Sequence, residues 1–247
     1  KYGCNGCKFA IPKIRHRTTT SSSAGLRATF ALAVIVLVHH VTLAQAARVR
    51  SSRRLLSFSS PNLRMGDAVK SISKLGFPYE TQDPFLFCVY HNDQYPAGDA
   101  KMQAPRKGNG ADFDWSQPYR MYHGDRIPGF PQHPHRGFET LTTTLEGRVD
   151  HTDSAGNSGR YGDGDLQWMT AGAGIVHGEM FPLVNADKPN PMRLFQIWLN
   201  LPAKNKMVPP VFVMHWAESI PKVQTPSLSV TVFAGEFEGA TALPPPP

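Results

Sequence analysis

Four residues of this 247-residue chain have the types and spacing to hold a metal ion: His133, His135, His177 and Glu179. The stretch Pro131-Gln132-His133-Pro134-His135-Arg136-Gly137 sets two histidines at i and i+2. In extended chain, side chains two apart share a face. Pro134 favours extended geometry at His133. The stretch Ile175-Val176-His177-Gly178-Glu179-Met180 repeats the pattern with a histidine and a carboxylate, and Gly178 between them allows close approach of other chain. One His-x-His alone is a weak signal, because single histidines in β proteins are mostly hydrogen-bonded core or surface residues. Two such pairs on facing strands would supply three imidazole nitrogens and one carboxylate to a common point. Glu179 is also the candidate catalytic base, since a carboxylate that loosens from a metal can take a proton.

Nitrogen and oxygen donors without thiolate suit iron, manganese, nickel, copper or zinc. Four protein ligands around one octahedral ion leave two positions for water, dioxygen or a chelating substrate. Fe(II) fits best by analogy with other His/carboxylate oxygenase sites, and Zn, Mn, Ni or Cu also match the donor set.

The elements that must position these residues read as strands. Thr140 to Leu145 is Thr-rich, Leu166 to Met169 is a short apolar run, and Met192 to Leu201 is apolar on both faces, as a central strand would be. Phe85 to Tyr90, Phe212 to Met214 and Leu228 to Phe233 add further strands. Turn clusters lie at 154–159, 162–165 and 171–174. No long run after residue 64 has clean helical periodicity, although residues 67–75 could form a helical turn or two. Many short strands with Gly-rich turns predict an all-β sandwich or jelly roll. The Pro- and Gly-rich stretch from Pro78 to Gly129 is long enough to expect a task for it, such as covering a site.

Residues 1–64 hold eleven Lys or Arg and no Asp or Glu, so the remainder carries 15 basic and all 19 acidic residues. The basic balance therefore belongs to a leader, and the mildly acidic body gives no support for direct nucleic-acid binding. The leader joins basic residues, an apolar run Ala28 to Val38, a small-x-small Ala44-Gln45-Ala46 and an Arg- and Ser-rich stretch. We read it as a removed targeting segment, for plastid or mitochondrion before the secretory pathway. If translation starts at Met65, the cytoplasm or nucleus is the alternative. The apolar run is too short for a membrane anchor, so the mature body is not expected to span a membrane. The Cys4/Cys7 pair has no second pair to complete a zinc site, and Cys88 sits in an apolar run as a small core residue.

The two motif stretches, with Asp165-Leu166-Gln167-Trp168-Met169-Thr170-Ala171-Gly172-Ala173-Gly174 before the second, resemble the signature stretches of the pirin family. Phe195-Gln196-Ile197-Trp198-Leu199-Asn200-Leu201-Pro202 and Asp83-Pro84-Phe85-Leu86 extend the likeness, which runs from about residue 83 to 238. The resemblance implies two cupin barrels, each a double-stranded β-helix, with one metal in the first, held by His133, His135, His177 and Glu179. Generic cupins take a carboxylate soon after the His-x-His pair, which here would be Glu139. Parity alone lets Glu139 share the face of His133, so the carboxylate ligand is open between the two, with the pirin match favouring Glu179. Against that frame we expect a leader at 1–64, disordered or helical, a pirin-like cupin at 65–205, and a linker with an incomplete second cupin at 206–247. The sequence is then a fragment, incomplete at both ends.

Two functions follow from the resemblance. One is an Fe(II)-dependent dioxygenase of the quercetin 2,3-dioxygenase kind, acting on a small aromatic chelating substrate such as a flavonol. The other is a redox-sensing regulatory protein of the transcription-cofactor type, without turnover, whose partner is another protein. A bare structural metal barrel is the third alternative. In each case the body is expected to be a monomer. Elsewhere, His151 reads as a structural histidine near a turn, His123 and Asp125 as loop polarity or the mouth of the site, and Trp168, Trp198 and Phe138 as core.

Overall fold

The computed structural model describes residues 78–104, 113–225 and 228–247, with the backbone of two short strands, β1 (Cys7–Phe9) and β2 (Ile35–His39). The rest of the expected leader, and the helical turn expected at 67–75, fall outside the described residues. The other strands are β3 (Phe85–Tyr95), β4 (Gly129–His135), β5 (Phe138–Glu146), β6 (Arg148–Asp153), β7 (Ser158–Gly162), β8 (Leu166–Thr170), β9 (Ile175–Met180), β10 (Asn190–Asn200), β11 (Val211–His215), β12 (Lys222–Thr225), β13 (Leu228–Ala234), β14 (Glu236–Phe237) and β15 (Ala240–Thr241).

The chain divides into two units, one of residues 75–219 with 245–247 and one of residues 1–74 with 220–244. The first holds a five-stranded sheet in the order β11-β8-β5-β10-β3 and a four-stranded sheet in the order β4-β9-β6-β7, all pairs antiparallel. This is the all-β cupin fold, two sheets closing on one interior. β11 pairs with β8, so this unit's sheet takes in residues beyond the boundary expected at 205. In the second unit β12 and β13 form a hairpin, β13 pairs with β2, and Val230 and Val232 are its buried centre.

Composition explains the layers. β10 is flanked on both sides, by β3 and β5, and its Leu194, Phe195 and Ile197 are buried. That matches a strand that reads apolar on both faces. β5 is a run of β-branched threonines, and Thr140, Thr142, Thr143 and Thr144 are all buried. The core joins both sheets, with Tyr95, Met192 and Leu194 from one and Val149, Tyr161 and Phe181 around the other. Cys88 is buried in β3, and burial raises its thiol to about 11, as suits a core residue.

The excursion between β3 and β4 is pinned at its end. Arg120 pairs with the fully buried Asp93 on β3 at 2.6 Å, and Tyr122 donates to the same carboxylate at 2.8 Å. Beyond that anchor the chain turns into β4 through Gly129, at φ 132°. A Cβ there would run into the carbonyl oxygen of Glu179, so only glycine admits β4 this close to β9.

Candidate metal centre

β4 and β9 bring the two predicted motifs side by side. His133 stands opposite His177 and His135 opposite Ile175. The register is not uniform: Phe130 faces Glu179, yet His133, three residues on, faces His177 two residues back. One extra residue on β4 makes a bulge around Pro131 and Gln132. The bulge lets His133 and His135 share the inward face with His177.

The result is a cluster in which one ligand atom from each of His133, His135 and His177 lies within 4.8 Å of the others. Their rings are 4.5 to 4.8 Å apart, and the Nε2 atoms of His133 and His135 are 3.1 Å from each other. His133 Nδ1 lies 2.8 Å from the Pro131 carbonyl oxygen. A carbonyl only accepts, so Nδ1 carries the proton and Nε2 keeps its lone pair. His177 Nε2 is buried without a hydrogen-bond partner. Burial, then the neighbouring histidines, lowers both His135 and His177 to about 3. Each is thus a neutral imidazole at physiological pH, as a metal ligand must be. Three imidazole nitrogens converging on one point, with one of them a buried orphan, fit a bound cation.

Glu179 lies beside this cluster, its Oε2 4.0 Å from His177 Nε2. The carboxylate is 2% exposed and is oriented from the opposite sheet. Gln196 Nε2 on β10 donates to Oε2 at 2.6 Å, and Thr142 Oγ1 on β5 donates to Oε1 at 3.2 Å. Tyr161 on β7 is close enough that burial, then the charge of Glu179, raises its hydroxyl well above the usual tyrosine range. Glu139 is directed elsewhere. Its Oε2 accepts from Trp168 Nε1 at 3.1 Å and its Oε1 from Thr170 Oγ1 at 2.8 Å. Both partners lie on β8, which neighbours β5 on the five-stranded sheet.

Phe138 and Trp198, read from sequence as core, instead stand against His135 at ring distances of 5.1 and 5.2 Å and are only half-buried. Trp168 is buried core. His123 is exposed and sits across Phe130 from His133, with ring distances of 6.0 and 6.5 Å. The excursion therefore flanks the half-exposed side of the cluster.

Sequence reasoning set His151 aside, but the structure buries it in the site. His151 stands opposite Glu179 and Asp153 opposite His177 across β6 and β9. His151 Nδ1 lies 3.5 Å from His177 Nδ1, and its Nε2 lies 3.1 Å from Asp153 Oδ2. The signal was present: Asp150-His151-Thr152-Asp153 contains a fourth histidine with an acid two residues on, the spacing of His177 and Glu179.

Residues 78–199 match the family model described as Pirin. A pirin-like protein of Solanum lycopersicum is 47% identical over 111 residues, which is 45% of this chain and 36% of the relative. Pirin of Homo sapiens is 44% identical over 119 residues, 48% of this chain and 39% of its own length. Among solved structures, a quercetin 2,3-dioxygenase from Acinetobacter baumannii aligns at 32% identity and TM-score 0.50, over 65% of this chain and 48% of the other. The chain thus spans well under two thirds of the relatives it matches. The matched segment contains all three clustered histidines, Glu179 and strands β3 to β9, so residues 78–199 of this chain form a domain of the pirin family.

Proposed function

We propose that this protein binds one divalent metal ion, Fe(II) before Zn, Mn, Ni or Cu, through His133, His135, His177 and Glu179. We propose further that it acts as a dioxygenase on a flavonol of the quercetin type. The observation that carries the reading is the convergence of three imidazole donors within 4.8 Å, with the buried Nε2 of His177 unpartnered. The solved quercetin 2,3-dioxygenase with the same fold supports the substrate class.

When bound, such an ion supplies Lewis acidity and open positions for a chelating substrate. The chain's own residues do the rest. His135 and His177 stay neutral because burial opposes their protonation, which keeps their lone pairs available. Gln196 and Thr142 hold Glu179 in place from the facing sheet, so the carboxylate is oriented before a ligand arrives. Glu179 is the group placed to take the proton of a flavonol hydroxyl. Phe138 and Trp198 offer aromatic faces beside His135 for a flat ring system.

The test is direct. Purified protein loaded with Fe(II) is incubated with quercetin in air, and carbon monoxide and the ring-opened ester are measured. Their absence from a fully loaded protein defeats the dioxygenase reading. Ferric loading that changes affinity for a protein partner, without turnover, would instead support the redox-sensing regulator.

A further inference from the structure

We infer that His151 and Asp153 are positioning residues that fix the ring proton of His177 on Nδ1, leaving Nε2 as a lone pair aimed at the histidine cluster. The inference rests on the metal-binding reading for its consequence, but the proton's position can be observed without any metal.

The argument follows the donors and acceptors along β6 and β9. Asp153 Oδ2, 3.1 Å from His151 Nε2, is an acceptor only. His151 Nε2 therefore carries a proton, and in the neutral ring Nδ1 is then an acceptor. That acceptor faces His177 Nδ1 at 3.5 Å, a long contact that closes only if His177 supplies the hydrogen. With its proton on Nδ1, His177 presents a bare Nε2, and this is the atom that is buried without a partner. A reversed His177 would instead set two bare Nδ1 lone pairs against each other at 3.5 Å, with no hydrogen between them.

Other contacts hold the relay rigid. His151 is 3% exposed and stacks on Phe212 of β11 at 5.1 Å and 22°. Asp153 is fixed by its own turn: Oδ1 accepts from the amides of Ala155 and Asn157 at 2.9 and 3.0 Å, and Asn157 Nδ2 donates to Oδ2 at 2.9 Å. Outer carboxylate–histidine contacts of this kind orient metal-ligating imidazoles and raise their basicity.

Asp153→Asn is the informative change. The Oδ1 contacts can survive, but an Asn Nδ2 in the place of Oδ2 donates to His151 Nε2. The His151 proton then moves to Nδ1, and that of His177 to Nε2. The first readout is long-range proton–nitrogen correlation NMR of the metal-free protein. We expect the wild-type His177 proton on Nδ1 and the Asp153→Asn proton on Nε2. The second is Zn(II) affinity by competition with a chelating dye, zinc being redox-inert. Asp153→Asn and His151→Phe should each weaken it by roughly 10- to 100-fold. Arg160→Ala, which removes the exposed pair with Asp150 of β6 and touches neither relay residue, should match wild type. A wild-type proton on Nε2 overturns the inference whether or not any variant folds. So does unchanged zinc affinity in both relay variants. A wild-type protein with the proton on Nδ1 and no affinity for any divalent metal would instead sink the metal-binding reading and leave the relay standing.

Discussion

Trp168 and Glu139 are joined by an indole-to-carboxylate hydrogen bond of 3.1 Å, and that bond turns the carboxylate of Glu139 toward β8. With Thr170 on its other oxygen, Glu139 is fully engaged away from the histidines. Substitution separates the two acids. Glu179→Gln should weaken Zn(II) or Fe(II) binding by more than about tenfold. Glu139→Gln should keep the wild-type metal stoichiometry and lower stability by about 1–3 kcal/mol, the cost of weakening bonds at a half-buried carboxylate. Metal analysis after dialysis, with denaturant melts, distinguishes them. The reverse pattern would make Glu139 the ligand.

His135→Ala removes one of the three converging imidazoles and should abolish stoichiometric metal. The fold should persist, because the apolar core that joins the sheets does not contain His135. Retention of a full equivalent of tightly held metal by this variant would refute the proposed ligand set.

Gly129→Ala tests the seating of β4. The φ of 132° is open only to glycine, and the added Cβ meets the backbone of Glu179 and Met180. The expected loss is about 1–3 kcal/mol from backbone strain alone, read as a lower thermal midpoint. Because the same shift displaces His133 relative to His177, metal affinity should fall with it. A stable variant with unaltered affinity would show that β4 tolerates the displacement.

The buried histidines set a pH dependence. His91, His135 and His177 are lowered from 6.5 to about 3, in each case chiefly by burial. Between those values the unfolded chain binds protons that the folded chain does not. Their contribution to stability is therefore complete above pH 6.5 and is lost as pH falls toward 3. Each can add a slope of up to about 1.4 kcal/mol per pH unit in that window. Denaturant midpoints of the metal-free protein, measured from pH 7.5 to 4.5, should fall steeply, and more gently in His91→Phe. A flat profile would mean that these rings accept protons in the folded state.

Asp93 and Arg120 predict a different sensitivity. Both side chains are buried, at 0% and 5% exposure, and their 2.6 Å pair ties the excursion to β3. Asp93→Ala strands a buried guanidinium and should cost about 3–5 kcal/mol. Protease cleavage between residues 96 and 128 should rise with it, since this pair anchors the segment.

Much of the site was legible because strand alternation is a strong code. His133 with His135, and His177 with Glu179, needed only the two-residue period to be placed on common faces. The same period left Glu139 open beside Glu179. Its parity with His133 holds only along one strand, and the chain turns at Gly137, φ 79°, passing from β4 in one sheet to β5 in the other. The bulge in β4 was equally invisible, since an extra residue has no composition of its own. His151 and Asp153 were hidden for another reason. Asp153 belongs to a turn and to the site at once, and the turn chemistry of its Oδ1 accounts for its presence without the histidine. Gln196 left a fainter trace, one amide inside an apolar strand.

β4 is the outermost strand of its sheet, and it contains Pro131 and Pro134. Prolines offer no amide hydrogen, so this margin cannot serve as a template on which a foreign strand continues the ladder. The border nearest the half-exposed His133 is thereby a poor template for an added strand, whereas a small molecule needs no ladder to approach it. A histidine-bearing edge made of ordinary residues would face both visitors.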